Sequence, residues 1–251
     1  MNTTTQLVSD PGRPSKPVLA KRFVSSEIKL SMRRLSRKLG LQKLHDALPD
    51  DWAIPDSRFA VQAIEAAGAL CPEFMMRHCF RSYCFGAILA ARNGLALDRE
   101  TFFVAAMLHD LGVTEAHAND PGSFEWVGAS LAHKFCLGAE QSESRAAIVH
   151  NAIALHTSLG LADRYQPEIA MLHFGTAMDL FGMRIEEVPN GTLEIVLSDY
   201  PRGAFKAEFS PCLSHQAQIK PDSHIAGAVG IGILDRIQAR FTEFEPVQPS
   251  G

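Results

Sequence analysis

The chain has 251 residues, 46% of them hydrophobic, and a formal net charge of −4. That fits one large globular domain, or one domain with extensions, and enough chain to bury a sizeable core. The mild negative charge gives no global attraction to nucleic acid or an anionic membrane, and no stretch approaches the roughly 18 apolar residues of a membrane span.

The opening, "MNTTTQLVSDPGRPSKPVLA", is polar, interrupted by prolines and without the apolar core of a secretory signal. It reads as a disordered tail over 1–20. Residues 21–55 form a basic helical extension. Lys21, Arg22, Lys29, Arg33, Arg34, Arg37, Lys38 and Lys43 alternate there with Ile28, Leu30, Met32, Leu35 and Leu39. A packing arm or solvated helical face explains this amphipathic pattern better than a surface for nucleotide, nucleic acid or membrane.

From residue 56 to 245 the chain reads as one helical domain. "DSRFAVQAIEAAGAL" opens on Asp56 or Ser57 as N-cap. The next helix begins near Pro72 and stops at Asn93-Gly94. "DRETFFVAAMLHDLG" begins at Asp98, "SFEWVGASLAHKFCLG" at Ser123, and a further helix runs to Gly160. Pro167 sits where proline favours a first helical turn, and that helix ends at Gly182. Shorter elements and an apolar stretch over 225–234, core or subunit interface, follow. Few runs alternate as a strand would, so the fold class is all-α. The cysteines Cys71, Cys79, Cys84, Cys136 and Cys212 include no CxxC pair. That fits reduced thiols and a cytoplasmic location.

His109 and Asp110 end the apolar run "FVAAML". An imidazole and a carboxylate are costly to bury there unless something pairs with them, and a metal ion is the simplest partner. His78, in "MRHCFRSYCFG", and Asp179, in "GTAMDLFG", sit in equally apolar helices. Two histidines and two carboxylates make a mixed nitrogen and oxygen set suited to zinc, iron or manganese.

The order His78, then "HDLG" over 109–112, then Asp179 resembles the H…HD…D signature of the HD-domain superfamily. The segments "RHCFRSYCFG", "AAMLHDLGVT", "SFEWVGA", "AIALHTSLGLA" and "DYPRGAFKAEF" are similar to the cyanamide hydratase-like branch, in that family's order from His78 to Phe209. The resemblance implies an HD-domain helical bundle. It also implies a metal ion, zinc in that branch, held by His78, His109, Asp110 and Asp179. The implied reaction is addition of water across the carbon–nitrogen triple bond of cyanamide, giving urea. Val113 stands where many HD phosphohydrolases carry lysine, which removes one natural partner for phosphate.

Glu125 begins a helix, where its charge favours the helix dipole. The "SFE" match raises it to a site residue that orients a ligand or moves a proton. His156 is likewise structural by default and an acid or base by resemblance, with Thr157 beside it as a weaker substrate donor. Asp110, Glu125 and His156 are therefore the candidates for proton transfer. His150 lies six residues before His156, about 120° round a helix, so both do not point into one small site. A second metal held by His133, His150 and His156 is the less favoured reading. His117, His173, His215 and His224 read as ordinary histidines. Arg81 reads as an intramolecular ion pair. Tyr83, Phe85, Phe102, Phe103, Phe124 and Trp126 read mostly as core.

The expected partner is a small-molecule substrate, with neither nucleic acid nor membrane, and a homo-oligomer is left open. Two other readings stand: a metal-dependent phosphohydrolase acting on a nucleotide, and a sensor module without turnover. The basic residues concentrate before position 44, outside the matched segments, which weighs against the first.

Overall fold

Serine and aspartate side chains set where many of the helices begin. In the computed structural model, which describes residues 6–10, 12–239 and 241, Ser57, Asp98, Ser123, Ser142 and Ser223 each accept a hydrogen bond from a backbone N–H three residues on. The helices are α1 (Lys16–Lys38), α2 (Arg58–Gly68), α3 (Glu73–Arg92), α4 (Arg99–Leu108), α5 (Phe124–Gly138), α6 (Glu143–Leu155), α7 (Pro167–Phe181), α8 (Asn190–Asp199), α9 (Phe205–Ile219), α10 (His224–Val229) and α11 (Ile233–Gln238). The described residues contain no strand, as the all-α reading requires. None of their helices is long and apolar enough to cross a membrane.

The centre is a packed group of α3, α4, α6 and α7. Every residue of α4 from Thr101 to Leu108 is buried, as an all-round apolar helix demands. α2 covers α4, α5 covers α6, and α9 lies over α3. The tightest crossing joins α3 to α7. A Cβ on Gly175 would fall on the Ser82 carbonyl oxygen and within 3.0 Å of the Gly86 amide nitrogen. Gly112 serves the same end beside α5, where a Cβ would overlap the Phe124 carbonyl. That contact holds the turn after His109 and Asp110 against the start of α5.

Part of the expected tail contacts the helical domain. Residues 1–5 and 11 of the expected tail lie outside the described residues, as do 240 and 242–245 of the expected domain. Val8 donates its amide to Asn151 Oδ1 at 2.9 Å, and Asn151 Nδ2 donates to the Gln6 carbonyl at 2.9 Å. Asp10 Oδ2 accepts the Ser123 amide at 3.2 Å. The helix expected from residue 21 opens earlier, at Lys16, with Pro17 in its first turn.

α1 is a packing arm held by charge. Lys29 pairs with Asp163 at 2.7 Å, Arg34 with Glu186 at 2.7 Å and Arg37 with Glu187 at 2.5 Å. Its apolar residues divide: Leu19 and Leu30 are buried, whereas Ile28, Met32, Leu35 and Leu39 are exposed.

The α3–α7 crossing yields a prediction. Gly175→Ala should cost about 1–3 kcal/mol, the usual range for overpacking, and lower the thermal midpoint. A midpoint equal to the wild type's would contradict the crossing described.

Candidate metal centre

Helix ends and buried helix interiors deliver the polar side chains to one place. His78 comes from the middle of α3, His109 caps α4 and Asp110 follows it. All three are buried. His78 Nε2 and His109 Nε2 are 3.3 Å apart, and Asp110 Oδ2 is 3.6 Å from the first and 3.2 Å from the second. This group could hold a metal ion.

The hydrogen bonds fix which nitrogens are free. His109 Nδ1 donates to the Ala106 carbonyl at 2.7 Å, and His156 Nδ1 donates to the Ile153 carbonyl at 2.6 Å. A carbonyl only accepts, so each Nδ1 carries hydrogen and each neutral ring keeps a lone pair on Nε2. His78 Nδ1 donates to Asp179 Oδ2 at 2.6 Å, with the same result. Asp110 Oδ2 is buried and has no hydrogen-bond partner. Lone pairs crowded in this way repel one another unless a proton or cation lies among them. Outer hydrogen bonds of this kind are what orient metal-ligating histidines, so the residues present fit a divalent ion.

The charges follow the same geometry. Burial disfavours the imidazolium of His109, but the Asp110 carboxylate outweighs it and holds that pKa above its ordinary value. Burial likewise opposes the Asp110 carboxylate, yet His109 and His78 hold its pKa well below the usual range. Burial pulls His78 down, and takes His156 to about 3, so both favour the neutral ring.

Asp179 stands apart from the converging group, although the sequence placed it among the ligands. Both its oxygens are taken. Arg81 meets the carboxylate with two nitrogens, Nε to Oδ1 at 2.7 Å and Nη2 to Oδ2 at 2.9 Å. Arg202 donates to Oδ1 and to the Asp179 carbonyl, the latter at 2.7 Å, while His78 takes Oδ2. The arginines more than offset burial and keep Asp179 far below the usual carboxylate range. Arg81 also donates to the carbonyls of Tyr200 and Pro201, at 3.1 and 3.2 Å. Its ion pair was expected; Arg202 was not read as a site residue. Phe205 stacks on His78, with centroids 4.9 Å apart.

His156, at the end of α6, faces the group. Its Nε2 lies 4.0 Å from Asp110 Oδ1. Thr157 donates its hydroxyl to Glu125 Oε1 at 2.7 Å. Glu125 Oε2 has no partner, and burial pushes the Glu125 pKa up to about 7. His150 lies elsewhere, against Trp126 and Asn151, and His133 pairs with Glu143. Among the described residues no second cluster of metal donors forms.

Two histidines that read as ordinary belong to the surroundings of the site. The group opens into a cavity of about 1140 Å³ lined also by His173 and His224. His173 Nδ1 donates to the His156 carbonyl at 2.7 Å, and His224 Nδ1 meets Thr157 Oγ1 at 3.3 Å. His173 shares α7 with Asp179, six residues on, which is a weak signal in the sequence; His224 carries none, because it reaches the cavity only when α10 folds back. Ile225, Ala228, Ile231 and Ile233 of the C-terminal apolar stretch also line it. Of the expected aromatic core, Phe124 lines the cavity, while Tyr83, Phe85, Phe102 and Phe103 are buried.

No family model matches the chain, and no curated protein matches it.

Two outcomes follow from the buried charges. Asp179→Ala leaves two buried guanidinium groups without their carboxylate and should cost about 3–5 kcal/mol in denaturant unfolding; a loss below about 1 kcal/mol would contradict the arrangement. Glu125 has a folded pKa above its unfolded value, so its stabilising effect is complete below about pH 4.5 and fades as pH rises through about 7. The thermal midpoint of the wild type relative to Glu125→Gln should therefore fall across that window, and a constant difference would refute it.

Proposed function

We propose that this protein is a metal-dependent hydratase of the HD-domain superfamily, adding water to the carbon–nitrogen triple bond of cyanamide or a related small nitrile. The observation that carries the reading is the convergence of His78 Nε2, His109 Nε2 and the unpartnered Asp110 Oδ2. The resemblance of the surrounding segments supplies the reaction.

One divalent ion, zinc by resemblance and iron or manganese by donor chemistry, would be held by these three residues. Such an ion, when bound, makes water acidic enough to act as a nucleophile near neutral pH and polarises the group attacked. Asp179, bound to His78 Nδ1, is assigned here as a positioning residue. It fixes the His78 tautomer, while Arg81 and Arg202 keep its carboxylate ionised and stationary. His156 Nε2 is neutral and free to accept a hydrogen bond, so it orients the attacking water. Glu125, with a pKa of about 7, can hold or release a proton at neutral pH and reaches the His156 segment through Thr157.

One observation favours the phosphohydrolase reading. α1 folds across the cavity, so Arg22, Arg34, Arg37 and Lys38 line it despite their distance in sequence from the matched segments. Arg34 and Arg37 are engaged by Glu186 and Glu187, and both arginines near His78 are committed to Asp179. That leaves Arg22 and Lys38, both on α1, as the members of this set not committed to a carboxylate among the described residues.

The test is turnover with metal analysis. Protein loaded with zinc should produce urea from cyanamide and bind about one ion per chain. Asp110→Asn should lose about a hundredfold in kcat, the upper end of what loss of an outer-shell partner costs. Release of phosphate from nucleotides without urea would replace the hydratase by the phosphohydrolase. Protein that binds no metal would favour the sensor module.

A further inference from the structure

Cyanamide has three heavy atoms, whereas the cavity beside His78, His109 and Asp110 measures about 1140 Å³. Ligand cavities of about 300–1,000 Å³ take molecules of drug size. Away from the metal-ligating group the walls are mostly apolar, with Phe23, Leu30, Ala177, Met183 and Leu213 among them. A three-atom substrate would leave most of that apolar surface facing water.

The cationic wall is uneven. Arg34 and Arg37 are paired with Glu186, and Arg236 lies over the Phe23 ring at 4.0 Å. Glu27 and Lys38 line the cavity with opposite charges, and both residues are exposed. Arg22 differs. The residue is half-buried on α1, and its Nη1 is shut off from solvent without a hydrogen-bond partner. A buried guanidinium nitrogen left unpaired is costly, and an anion is the partner that relieves it best.

The neighbours of Arg22 tie it to the centre. Its charge acts on His224, helping burial lower that histidine to about 4. His224 meets Thr157, which follows His156 in the chain. His224 Nε2 is also buried without a partner. Because Thr157 gives its one hydroxyl hydrogen to Glu125, His224 Nδ1 must be the donor to Thr157. Nε2 is then an acceptor. The wall thus offers one unspent donor, at Arg22, and one unspent acceptor, at His224.

We propose that the cavity binds an amphipathic organic anion, with its carboxylate on Arg22 and its apolar body along the α1 wall. The proposal rests on the hydratase reading only in placing the reacting carbon–nitrogen group at the His78, His109 and Asp110 end. In that case the substrate is a nitrile with an apolar chain and a distal carboxylate.

Unreactive probes separate this claim from the activity. Octanoate, octanol and octyltrimethylammonium are titrated calorimetrically into metal-loaded wild type, Arg22→Gln and Arg22→Lys. Octanoate should bind wild type about tenfold tighter than octanol, the scale of one charge-assisted hydrogen bond. Arg22→Gln should remove that advantage, Arg22→Lys should restore part of it, and octanol should bind all three proteins alike. Equal binding of the three probes to wild type overturns the proposal, and that comparison needs no variant to fold. It is also overturned if octanoate keeps its affinity in Arg22→Gln but loses it on metal removal, since the carboxylate then sits on the metal. Absence of urea from cyanamide leaves the probe results unchanged, so failure of the activity and failure of the anion site are told apart.

Discussion

The carboxylate of Asp179 is the constraint on which the rest of the site depends. It is wholly buried, and it binds His78 of α3, Arg81 of α3 and Arg202 from the loop after α8. An ionised carboxylate in such a place survives only when its lone pairs are filled by charged donors. Here they are, and the consequence reaches the converging donors. His78 is forced to carry its hydrogen on Nδ1, so its Nε2 turns toward His109 and Asp110. The same arginines stack on or near Phe205, which itself packs against His78.

This clamp works because the helices around it approach closely. Gly86 and Gly175 let α3 and α7 come together, and Gly112 lets the turn after the His-Asp pair sit on the first residue of α5. The polar groups come largely from helix ends, where free backbone groups are available to orient side chains. His109 and His156 each lean on a carbonyl three residues earlier, so the end of the helix itself selects the tautomer.

Much of this was legible in the sequence. Caps at Ser57, Asp98 and Ser123, proline at 167 and glycine at 182 mark helix boundaries by local chemistry alone. The cost of burying His109, Asp110 and His78 in apolar helices is also a local signal. What local signals do not carry is which acceptor a carboxylate meets. An aspartate among apolar residues reads the same whether it faces a cation or two arginines, and Arg202 lies too far along the chain to be matched with Asp179. The cavity was hidden for the same reason. α1 reads as a basic extension, yet its ion pairs to Asp163, Glu186 and Glu187 lay it across the site. Arg22, His173 and His224 become relevant only through that long-range packing.

The central claim is that imidazole nitrogens of His78 and His109, with Asp110, form the inner shell of a metal ion, and that Asp179 lies outside it. X-ray absorption at the zinc edge of the loaded protein tests this most directly. The account predicts at least two imidazole ligands, with the imidazole count falling by one in His109→Ala and staying unchanged in Asp179→Asn. A shell of oxygen ligands alone, or one that loses a carboxylate oxygen in Asp179→Asn, would contradict it.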